Sequence, residues 1–90
     1  MLEYKLGYFA KSLCGHDKGK LYMIVSEEEG KVGLCNGAGR PLGCPKYKNK
    51  KHVQLIRSEK TAAVFTSLVE SGEADRLIRE EIRAREKRED

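Results

Sequence analysis

Two hydrophobic rhythms divide the chain, one alternating along the first two thirds and one at helical spacing beyond Ser58. Leu21–Val25 is the longest unbroken apolar run, five residues containing Tyr, Ile and Val. It is too short for a helix and predicts a strand over Lys20–Ser26. Upstream, Leu6–Leu13 predicts a first strand, with Phe9, Lys11 and Leu13 on one face and Tyr8, Ala10 and Ser12 on the other; neither face is cleanly apolar. Between them Gly15 and Gly19 bracket His16-Asp17-Lys18, a turn that Lys20 leaves for the second strand. Glu27-Glu28-Glu29-Gly30 reads as a solvated acidic turn, followed by a short third strand, Lys31–Cys35.

Asn36-Gly37 is a hairpin signal, because both central positions of the favoured tight turn need positive φ. The breakers Gly39, Pro41, Gly43 and Pro45 then exclude a helix. The Lys46–Lys51 segment reads as a basic loop running into a strand over His52–Ile56. At Ser58 the pattern changes: Ser58 and Thr61 offer helix N-caps, and Val64, Phe65, Leu68 and Val69 form a helical stripe that Gly72 ends. Ala74, Leu77, Ile78 and Ile82 form a second stripe, supported by the spaced pairs Asp75–Arg79 and Glu81–Arg85. Four or five short strands are too few for a sandwich. They predict a mainly β fold, a small, highly curved antiparallel barrel over residues 1–58, with a C-terminal helical extension, 59–90, frayed in its last turns.

Charge sharpens this division. Residues 1–60 hold twelve Lys/Arg against six Asp/Glu, and residues 61–90 hold six against eight, so the net +4 belongs to the front of the chain. A small basic domain fits a polyanionic partner. Lys18, Lys20, Arg40, Lys46, Lys48, Lys50 and Lys51 are candidates to neutralise phosphates, while His16, Tyr47 and His52 lie among them as rings on which unpaired bases stack. The ordinary alternative for the lysines is a solvated face. Asp17 is an acid in this basic turn and is expected to serve locally, accepting backbone N–H groups and shaping the turn with Gly15 and Gly19.

Other chemistries find little support. No nucleophile and base are paired, and no phosphate loop is present, so no enzyme, cofactor or small-molecule substrate is expected. Cys14, Cys35 and Cys44 include no C-x-x-C pair, so no metal site is expected, and Cys14 and Cys35 are read as core fillers. The N-terminal residues do not resemble a signal peptide, and no run approaches the roughly 20 apolar residues that span a bilayer. A cytoplasmic protein with reduced thiols and no membrane contact is the expectation.

The run Gly7–Val25, centred on Gly15-His16-Asp17-Lys18-Gly19-Lys20, resembles the KOW motif of RNA-binding proteins. Cys35-Asn36-Gly37, Arg40-Pro41-Leu42, Pro45-Lys46 and Lys50-Lys51-His52-Val53 are similar to small bacterial KOW-domain proteins, which are related to archaeal- and eukaryotic-type large-subunit ribosomal proteins. The resemblance covers about residues 5–57; Gly43-Cys44 depart from the charged or aliphatic residues expected there, and Ala38-Gly39 loosen the same loop. It implies an SH3-like barrel and translation-associated RNA binding, to ribosomal or other structured RNA, through the turn and its basic neighbours. A protein-interaction module of the transcription or translation machinery, presenting the tail's apolar stripes, is the alternative.

Overall fold

A computed structural model describes residues 2–88. Five strands, β1 (Phe9–Ser12), β2 (Leu21–Glu28), β3 (Lys31–Cys35), β4 (Lys46–Asn49) and β5 (Val53–Ile56), form one antiparallel sheet in the order β4-β3-β2-β1-β5. The fold is mainly β, with helices following the sheet. Strand β2 serves two partners: Leu21–Met23 pair with β1, and Met23–Glu28 pair with β3 across a register shift between Ile24 and Ser26. Its length corrects the expected acidic turn. Glu27 and Glu28 are strand residues opposite Val32 and Lys31, and only Glu29 and Gly30 turn. The ladder tolerates the carboxylates because both are exposed and Glu28 faces a cation across the strands.

The mixed character of β1 has a packing cause, since both faces of the sheet are covered. Tyr8, Ala10, Tyr22, Ile24, Val32, Leu34 and Val53 form one buried cluster. Phe9, Leu21, Met23 and Cys35 point the other way and meet Leu68, Ala74, Ile78 and Ile82 from the helices. Strand alternation assigns each residue to its layer.

The helices are α1 (Glu59–Ala63), α2 (Phe65–Glu70) and α3 (Ala74–Arg88). The first predicted helix is therefore two, broken at Val64, whose φ of −106° and ψ of 8° leave the helical region. Ser58 makes no capping side-chain bond, and the Thr61 hydroxyl instead donates to the Gly7 carbonyl. Gly7 has φ 98°, and a Cβ there would lie 2.6 Å from Ala62 Cα, so α1 docks on bare backbone. On α3 the expected Asp75–Arg79 pair is replaced by two anchors: Asp75 accepts from the Leu42 N–H at 2.7 Å, and Arg79 donates to the Gly37 carbonyl at 2.7 Å.

Those anchors explain the path of residues 36–45, where the expected tight hairpin is absent. The Asn36 side chain accepts from the N–H groups of Ala38 and Arg40, closing a wider turn. Gly37, at φ 77°, packs where a Cβ would overlap the Asp75 carbonyl oxygen and lie 2.9 Å from Arg79 N. The Lys-rich segment is a second correction. Lys46–Asn49 is the edge strand β4, and a 3-10 turn, Lys50–His52, carries the chain directly into β5. Edge position suits lysines, which keep one side of the ladder in water.

Candidate nucleic-acid interface

The β1–β2 turn is built from the backbone first. Ser12 and Gly19 close it through the bond from Gly19 N to Ser12 O at 2.8 Å, with the Ser12 N–H donating to Lys20 O at 3.0 Å. Within it Lys20 N donates to Asp17 O at 2.9 Å, and Gly15 and Gly19 hold φ near 88° and 89°. Asp17 points inward and is 6% exposed.

Its partners are side chains, not the backbone N–H groups expected from the turn. Oδ1 accepts from the Ser12 hydroxyl at 2.8 Å and the Lys48 ammonium at 3.1 Å. Oδ2 accepts from the Tyr22 hydroxyl at 2.9 Å and the Lys46 ammonium at 2.8 Å. Four donors occupy both carboxylate oxygens, about the full capacity of the group. Burial alone pushes the Asp17 carboxyl up; the hydrogen bonds from Lys46, Ser12, Lys48 and Tyr22 outweigh it and hold the group well below the usual carboxylate range. Burial and the adjacent Asp17 carboxylate push the Tyr22 phenol up to about 12, with the charge of Arg40 acting in the opposite direction.

The candidate residues thus divide into groups. Lys46 and Lys48 are committed to Asp17, and Lys48 also donates to the Cys14 carbonyl at 3.0 Å. The Lys48 side chain is 11% exposed, against 30% for Lys46, so Lys46 retains ammonium N–H groups within reach of a ligand. His16, Lys18, Lys20 and Arg40 are exposed around this node, and Tyr22 senses the Arg40 charge. Lys50 is drawn elsewhere: it pairs with Glu27 and lies 4.9 Å from the centre of the Tyr4 ring. Lys51 and His52 are exposed on the 3-10 turn, and Tyr47 projects from β4 with 55% exposure. Ser12 and Tyr22 are members of the node that sequence reasoning missed. Their hydroxyls read as strand polarity until Asp17 is placed between them.

Among the described residues no group of three or more His, Cys, Asp or Glu side chains is arranged to hold a metal ion. Cys35 alone of the thiols is buried, and burial, with the charge of Asp75, pushes it up to about 11. Cys14 is half-buried and belongs to neither core cluster, unlike Cys35. No helix among the described residues is long and apolar enough to cross a membrane. Comparison with protein-family models and with curated proteins finds no match to this chain.

Proposed function

We propose that this chain is a non-catalytic RNA-binding protein of the KOW type, working on ribosomal or other structured RNA. The observation that carries the reading is the Asp17 node. An ionised, saturated carboxylate fastens the β1–β2 turn to β4, so the turn offers Lys18, Lys20 and His16 from a fixed backbone beside Lys46 and Arg40. Two ammonium groups against one carboxylate leave the node itself cationic. Cations held in place lose less freedom when a phosphate arrives. The SH3-like barrel reading rests on connectivity: β4 and β5 are the two outer strands of the sheet, yet only a three-residue 3-10 turn separates them, so the sheet must curl strongly.

Titration of the protein with a structured ribosomal RNA fragment over a series of salt concentrations tests this. Replacing Lys18 and Lys20 together by Ala is expected to lower the salt slope by about 0.7–0.9 per lost phosphate contact. Lys50→Ala is expected to change it little, because Lys50 is already paired with Glu27. Wild-type binding that is absent, or insensitive to salt, refutes the proposal.

A further inference from the structure

Helix α3 holds six Lys/Arg against four Asp/Glu, and those charges are sorted by side. Two of the four carboxylates are engaged: Asp75 accepts from the Leu42 N–H, and Glu80 pairs with Arg76 at 2.8 Å. A third, Glu81, lies toward α2, beside Val64 and Ser67. Arg79 and Arg83 lie toward the β1–β2 turn instead, where with Lys20 and Asn36 they line an open cleft. Glu86 is the acid among the residues lining that cleft, so three cations meet one carboxylate.

The cleft suits a phosphate and not a base. Its apolar lining, Leu21 and Ile82, is 3% and 6% exposed and belongs to the core, which leaves no surface for a ring to lie on. What remains is positive charge and N–H groups. Arg79 donates to the Gly37 carbonyl at 2.7 Å, which fixes its guanidinium and leaves further donors, since the group has five. Lys20 and Arg83 are exposed and make no ion pair among the described residues. The Asn36 side-chain oxygen is occupied by two backbone N–H groups, so its own amide N–H groups are left to donate. Residues four apart on a helix are separated by about 6 Å along its axis, so Arg79 and Arg83 present a row of charge and not a point.

We infer that this cleft holds a phosphodiester of the RNA backbone, with Lys20, Arg79 and Arg83 as donors, so that α3 forms a second bank of the binding surface beside the turn. The inference rests on the RNA-binding reading and adds a contact that carries no base sequence. Glu86 is the repulsive element of that contact and weakens the grip on the phosphate.

Matched substitutions on the two sides of α3 test this in the full chain, titrated with a structured ribosomal RNA fragment over a series of salt concentrations. Arg83→Ala and Arg76→Ala remove the same charge from exposed positions, so long-range attraction falls alike in both. Arg83→Ala is expected to lower the salt slope by about 0.7–0.9, the value of one phosphate contact, and Arg76→Ala to leave it unchanged. Glu86→Gln is expected to tighten binding about two- to fivefold, the scale of one exposed charge contact, and Glu81→Gln to leave it unchanged. Equal effects of the two arginine substitutions overturn the inference, because net charge alone then accounts for them. RNA binding that Lys18→Ala weakens, while Arg83→Ala and Glu86→Gln leave it intact, removes α3 from the surface and keeps the RNA reading. Wild-type protein that binds no RNA overturns both.

Discussion

Asp17 is held ionised in a place where burial alone favours its neutral form, so its worth depends on four partners acting together. Asp17→Asn keeps the shape and removes the charge that Lys46 and Lys48 face. Breaking a buried ion pair costs about 3–5 kcal/mol; partial exposure of Lys46 lets water take up part of that, so about 2–3 kcal/mol is expected, read from urea unfolding. The pH dependence follows from the lowered carboxyl. Its contribution is complete above the unfolded-state value of about 3.9 and is lost as pH falls toward the folded-state value. The stability gap between wild type and Asp17→Asn should therefore be widest near neutrality and shrink in acid. That Asp17 serves the turn was legible in the oddity of an acid among lysines. Its partners were not, because Lys46 and Lys48 lie 29 and 31 positions away. Their spacing of two puts them on one face only if the segment is a strand.

At the scale of elements, the ends of β3 and the position of Gly72 were readable, since alternation and a glycine break need only local chemistry. Strand β4 was hidden because four lysines in six residues look like a loop when an edge is not known to be available. The break at Val64 was hidden for the opposite reason: apolar spacing continues across it, and the interruption shows only in backbone angles. Residues 36–42 depend on α3, and Gly37 is their seam. Gly37→Ala meets both a positive φ and occupied space, so a loss of about 2–4 kcal/mol is expected in chemical denaturation. Gly39→Ala, with nothing within 4 Å of an added Cβ, should cost far less and serves as the control.

For the molecule as a whole, the helices bury Phe9, Leu21, Met23 and Cys35 on one face of the sheet, so they belong to its stability. Ile78 and Ile82 each contribute about 1.5–3 kcal/mol by burial, against about 5–13 kcal/mol for a domain of this length. A chain ending at Gly72 is expected to lose cooperative unfolding. Ile78→Ala, fully buried, should cost about 2–5 kcal/mol in the intact chain, and a cooperative truncated chain would contradict this account. The two-sided burial was not legible in β1, where neither face is cleanly apolar, and assigning each side to its partner required the register. That register also sets a tempo. Ala10 meets Tyr22 twelve positions along the chain and Leu55 forty-five positions along. The β1–β2 hairpin can close early, whereas its other flank stays an open, sticky edge until a distant strand arrives. Such distant pairing slows folding relative to helical proteins of similar size. During that interval Phe9 and Met23 lie bare, and capture by another chain competes with completion of the fold.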